Sequence, residues 1–128
     1  MTDFKKLKVW EKSHSLAVRT HKLATEIREP YLATLRNQLT RASASIPTNI
    51  VEGSRQASNK DFARFLRYSM NSASELEYHF ILARDIGATR EDVSETLIDL
   101  TIEVRKMLYG LLRRVATSKS HSPQHDIT

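Results

Sequence analysis

Residues 62–83 read FARFLRYSMNSASELEYHFILA, and the spacing inside them decides the fold. Phe62, Leu66, Ser69, Ala73, Leu76, Phe80 and Ala83 recur at steps of three and four, which places them on one stripe of an α-helix. Ser58 or Asn59 is positioned to cap this helix, and Gly87 to close it. Downstream, Val93, Leu97, Leu100, Val104, Met107, Leu111 and Val115 repeat the spacing, with Thr89 and Asp92 as an acidic relative of the capping box. Upstream, a helix starting near Tyr31 carries Leu35, Leu39, Ala42 and Ile46. A first helix over residues 7–29 carries Leu16, Leu23 and Ile27, has Val9 and Trp10 near its start, and ends at Pro30. Three long helices of this period, joined by short connections, predict an all-α, antiparallel up-down-up-down four-helix bundle over residues 1–117. Residues 118–128, rich in Ser and His, are expected to form a disordered tail.

Composition agrees with this reading. The chain has 128 residues, 40% of them hydrophobic, with only three Gly and three Pro, which favours long helices over a turn-rich sheet. No cysteine is present, so disulfides and Cys-based zinc sites are excluded. No apolar run approaches the roughly 18 residues that span a bilayer, and residues 1–12 lack the apolar segment of a signal peptide. The expected location is the cytoplasm, with no membrane partner and no cofactor.

The net charge of +5 is unevenly distributed. Up to Met70 there are 13 Lys/Arg against 6 Asp/Glu; beyond it, 7 against 9. A basic half points to an acidic partner, nucleic acid being the commonest, although Lys and Arg can also merely solvate helix faces. Apolar residues also lie off the main stripes. Phe65, Tyr68, Ile98, Ile102, Leu108 and Leu112 would either widen the core or contact another subunit, and the second reading predicts self-association.

The second helix breaks its own pattern at residues 45–53, SIPTNIVEG. Pro47 removes a helical hydrogen bond at a cost of about 3 kcal/mol unless a bend absorbs it, so a kink is expected. Asn49 falls on the core line and needs a partner, such as the carbonyl freed by Pro47. Gly53 either ends the helix or admits another helix closely. Gln38, Arg41, Ser45, Thr48 and Glu52 form a polar line on the adjacent face, with Glu52 able to reach Arg55. This line reads either as a polar site or as a kink with a buried hydrogen-bond network, and the residue types favour the latter.

An N-terminal FKKLKVWEKS carrying Phe4, Leu7, Val9 and Trp10, then Gln38, Arg41 and SIPTNIVEG, then Phe62, Phe65 and Leu66 before Glu75 and Leu76, closely resembles one family. It is that of the small four-helix-bundle proteins encoded in intervening sequences of bacterial 23S ribosomal RNA genes. Val51 and Thr48 depart mildly from its usual Ala and Ser. The resemblance implies a homopentamer of antiparallel bundles without catalytic activity. It also implies similarity to the accessory proteins of diversity-generating retroelements, whose pentameric barrels bind nucleic acid and a reverse transcriptase.

Enzyme readings find little footing. Glu11 and His14 match the Glu-x-x-His of di-iron bundles, but a second copy is missing. His14 and His21 share a helical face and could ligate metal, yet ordinary surface roles suit them better. Arg114 and His121 have a ribonuclease-like spacing, but His121 falls in the expected tail. The sequence has no Gly-rich phosphate loop. The remaining candidates are Lys60, Arg64 and Arg67, aligned on one face of the third helix, with Arg55 just before them. They predict a basic surface that binds RNA or DNA with weak sequence preference. The alternative is a ring-shaped scaffold for a protein partner.

Overall fold

The structure is a computed structural model and describes residues 2–117. These residues form four α-helices: α1 (Lys8–Ala24), α2 (Ala33–Ser54), α3 (Asn59–Asp85) and α4 (Glu91–Thr117), with short 3₁₀ turns at Phe4–Lys6 and Pro30–Leu32. At about 1.5 Å per residue, α3 and α4 are each roughly 40 Å long. The expected tail, residues 118–128, lies outside the described residues.

Cross-helix contacts fix the topology. Arg41, Ser45 and Ile46 of α2 meet Glu75, Ser72 and Ser69 of α3, so the later residue pairs with the earlier. The same inversion relates α3 and α4, where Glu77 meets Arg105 and Arg84 meets Glu95. It relates α1 and α4 too: Leu7 and Val9 face Gly110 and Leu111, Lys12 meets Glu103, and Leu23 lies near Val93 and Leu97. Helices antiparallel in this cycle, each packed on its chain neighbours and α1 on α4, make an up-down-up-down bundle.

The third-helix stripe is buried throughout: Phe62, Leu66, Ser69, Ala73, Leu76, Phe80 and Ala83 all face the core. Ser58 caps α3, its hydroxyl accepting from the Asp61 amide at 3.1 Å. Gly87 closes it at φ 74°, with Gly87 N donating to Arg84 O and Ala88 N to Ala83 O, the paired bonds of a Schellman motif.

Three boundaries and one core line differ from expectation. First, α1 stops at Ala24 rather than reaching residue 29. The chain turns there to drop Ile27 into the core, and the Arg36 guanidinium donates to the carbonyls of Ile27 (2.8 Å) and Glu29 (2.9 Å). Second, α2 begins at Ala33, after a 3₁₀ turn led by Pro30. Third, Thr89 does not cap α4, because its hydroxyl pairs with Ser94 while Asp92 takes Arg90 and the Val93 amide. In α4 the buried line is Ser94, Leu97, Ile98, Thr101, Val104, Leu108, Leu111 and Val115. Val93, Leu100 and Met107 are half-buried at its edge. Thr101 enters the core because its hydroxyl donates to Leu97 O at 2.7 Å, leaving its methyl to pack. Thr20 does the same in α1, and the Ser43 hydroxyl likewise donates within its own helix, to Thr40 O. Of the off-stripe apolar residues, Ile98 and Leu108 are buried, Phe65, Ile102 and Leu112 are half-buried, and Tyr68 is exposed.

Candidate nucleic-acid interface

The seam between α2 and α3 gathers the polar line. α2 runs through Pro47 as one helix to Ser54. Beside Pro47 the buried Ser69 hydroxyl donates to Ile46 O at 2.8 Å, tying the two helices together. Asn49 is half-buried, and its Nδ2 donates to Ser45 O (2.9 Å) and Ser45 Oγ (3.0 Å). Its partner is therefore the Ser45 carbonyl, not that of Ser43, which lies four residues before Pro47. Ser45 Oγ in turn pairs with Ser72 Oγ at 2.8 Å. Gly53 is buried against α3: a Cβ there would stand 2.9 Å from the Phe62 ring and from Phe65 Cβ. The glycine admits the neighbouring helix and does not end α2.

Further along the seam, Arg41 donates to Glu75 at 3.0 Å. Burial alone would raise the Glu75 carboxyl, but Arg41 and, to a smaller degree, His79 together outweigh it, and the carboxyl titrates below its ordinary 4.5. The buried His79 brings Nε2 to 3.5 Å from Glu75 Oε2, at the long limit of a hydrogen bond, and neither ring nitrogen has a closer partner. Gln38 is half-buried one turn before Arg41. Glu52 is exposed and, among the described residues, makes no ion pair with Arg55; its carbonyl accepts from Gln56 Nε2 instead. The seam is a packing and hydrogen-bonding device over most of its length.

The predicted basic residues lie apart from it. Arg55, Lys60, Arg64 and Arg67 are all exposed at the α2–α3 turn and the first turns of α3. Arg64 is partly engaged: it lies 3.5 Å from Asp61, 4.7 Å from the Phe65 ring centre and 5.9 Å from that of Tyr68. The Tyr68 hydroxyl, by hydrogen bonding, raises its already high pKa, so it stays cationic. Lys60 and Arg67 flank a shallow groove with Asn59, Ala63, Val115 and Ala116 of the facing helices.

That groove exposes what a linear reading of charge missed. In an antiparallel bundle the start of α1, the end of α2, the start of α3 and the end of α4 share one end. Residues 2–15, 44–72 and 104–117, which make up that end, carry twelve Lys/Arg and four Asp/Glu. Residues 16–43 and 73–103, at the other end, carry seven and ten. The basic end is thus +8 and the opposite end −3. Arg19, Lys22, Arg28, Arg36 and Arg41 belong to the sequence's basic half but not to this end. Arg105, Lys106, Arg113 and Arg114 join it from the acidic half. Helix dipoles do not produce the difference, since two N-termini and two C-termini meet at each end. Among the described residues only Lys12, Arg64 and Arg105 of this end are in ion pairs, with Glu103, Asp61 and Glu77. The signal was available in the sequence only after the topology had been assigned.

The histidines are engaged singly. His14 stacks on Trp10, ring centres 5.1 Å apart, and His21 Nδ1 lies 2.8 Å from Ala17 O. Among the described residues no group of three or more His, Cys, Asp or Glu is placed to hold a metal, and no helix is long and apolar enough to cross a membrane. His121 lies outside the described residues.

Fold and surface define an all-α four-helix bundle with a strongly basic end. Over residues 5–110 the sequence matches the family described as 23S rRNA-intervening sequence protein, and the chain belongs to that family. It is similar in structure to a protein of unknown function from the S23 ribosomal protein family of Bacteroides thetaiotaomicron VPI-5482. The TM-score is 0.78 at 26% identity, covering 82% of this chain and 98% of that one. No curated protein matches the sequence.

Proposed function

We propose that this chain is a non-enzymatic, self-associating bundle that binds the phosphate backbone of RNA or DNA with little sequence preference. The observation that carries the reading is the charge division between its ends, +8 against −3, with most of the basic end's cations free of ion pairs among the described residues. Unpaired Lys and Arg on rigid helices suit a regularly spaced polyanion, whose counterions they displace. Arg55, Lys60, Arg64 and Arg67 supply the α3 side of that surface. The non-enzymatic part is supported by the separate engagement of His14 with Trp10 and of His21 with its own helix. A cytoplasmic location is part of the proposal.

Self-association, with a homopentamer as the expected assembly, draws on family membership and on α3. Tyr68, Tyr78 and Ile86, three of the large apolar side chains left exposed, project from α3 and its C-cap. Light scattering at micromolar concentration tests it, and a monomer mass refutes it. Fluorescence anisotropy with a labelled structured RNA tests the binding. The variant carrying Lys60→Ala, Arg64→Ala and Arg67→Ala is expected to bind several-fold more weakly. An intact oligomer indifferent to both RNA and DNA would instead favour a scaffold for a polypeptide.

A further inference from the structure

The α3 cations account for only one side of the basic end. We infer that the groove between the start of α1 and the last turns of α4, opened by Gly110, is a second binding track for the phosphodiester backbone of RNA or DNA. This rests on the proposed function and extends it to residues on other helices.

The groove encloses about 360 Å³, with Lys6 and Lys8 on one wall and Arg114 on the other, over a floor of Leu7, Val9, Met107 and Leu111. Gly110 leaves it open. At the position a Cβ would occupy, the nearest neighbour is Arg114 Nη1 at 3.9 Å, so the guanidinium overhangs space that another residue would fill. Arg113 and Arg114 border a smaller adjoining hollow that shares Gly110. No residue of α4 after Glu103 is acidic. Among the described residues none of Lys6, Lys8, Arg113 and Arg114 makes an ion pair. Asp3 and Glu11 are the acidic residues nearest in sequence to the Lys6 and Lys8 wall, and neither pairs with these cations. Cations gathered around an open groove and left out of ion pairs are arranged for an external anion.

The local aromatics favour nucleic acid over an anionic membrane. The Arg113 guanidinium lies 5.9 Å from the Tyr109 ring centre, the distance at which Arg64 lies from Tyr68. An exposed tyrosine paired with an arginine suits base stacking beside a phosphate contact. Membrane-surface helices present Leu, Phe or Trp instead, whereas the large apolar side chains most exposed near this end are Tyr68 and Tyr109.

Gly110→Glu tests the inference directly. It places a carboxylate in the groove, and the open space and helical setting favour the longer side chain over glycine. Asn37→Glu adds the same charge on an exposed site at the opposite end. With a labelled random-sequence single-stranded RNA, Gly110→Glu is expected to weaken binding about tenfold at a Tm no lower than that of the wild type, and Asn37→Glu by less than about twofold. Should Gly110→Glu misfold, the combined Lys6→Ala, Lys8→Ala and Arg114→Ala variant is expected to weaken binding similarly. Equal losses for the two glutamates would mean that net charge alone matters and would overturn the inference. Wild-type affinity in the groove variants, with loss on substituting Lys60, Arg64 and Arg67, would overturn it while leaving the proposed function standing. No binding by the wild-type protein would remove both. Capture by phosphatidylserine vesicles without RNA binding would overturn the inference in favour of a membrane surface.

Discussion

Gly53 lies against Phe62 so closely that a methyl group at residue 53 would stand 2.9 Å from the buried ring, and as near to Phe65 Cβ. Phe62 is fully buried and Phe65 Cβ is fixed by the α3 backbone, so neither can yield cheaply. Gly53→Ala is therefore expected to destabilise the bundle by about 1–3 kcal/mol, despite the better helix propensity of alanine. Gly110→Ala, with open space around it, is expected to gain about 0.5–1 kcal/mol. Urea denaturation of the two variants checks the opposite signs.

Gly87 is constrained by backbone conformation, not by space. Nothing lies near its missing side chain, yet its φ of 74° belongs to the left-handed region. Gly87→Ala is expected to cost about 1–2 kcal/mol by straining the Schellman turn that ends α3. Thermal unfolding should register this as a lower Tm.

Ser69 holds α3 to α2 through a single hydroxyl. Ser69→Ala removes the 2.8 Å bond to Ile46 O and is expected to cost about 0.5–1.5 kcal/mol, measurable as a shifted urea midpoint with unchanged slope.

Acid stability should depend on Arg41. The Glu75 carboxyl titrates below 4.5 in the fold, so its contribution is fully present above the unfolded-state value and is lost as pH falls through the lower folded-state one. Because the pair is largely exposed, the effect is small. Arg41→Gln is expected to flatten the decline of Tm below pH 4.5, leaving neutral pH nearly unaffected, and Tm measured across that range decides it.

The helices were legible in the sequence where apolar residues alone marked the core. The stripe from Phe62 to Ala83 is buried without exception, and its Ser69 was on the line for a reason only the neighbouring helix reveals. α4 was legible only in part: Leu97, Val104, Leu111 and Val115 are buried as expected, but the helix has apolar residues on several sides, and Ser94 and Thr101 look polar until their hydroxyls are seen to find partners on their own chain. The end of α1 was hidden by Ile27, which keeps the helical spacing yet reaches the core from a turn. Arg55, Lys60, Arg64 and Arg67 were found from spacing on one helix. Lys6, Lys8, Arg113 and Arg114 were not, because their neighbourhood exists only once residues about a hundred positions apart meet across α1 and α4.

If the basic end binds nucleic acid through phosphate contacts, the salt dependence of RNA affinity must show it. Log K is expected to fall linearly and steeply with log salt between low and physiological concentrations. Replacing Lys60, Arg64 and Arg67 by alanine should reduce the slope by about 2–3. Salt-independent binding, or a slope unchanged by the triple substitution, would mean that Lys60, Arg64 and Arg67 make no phosphate contacts.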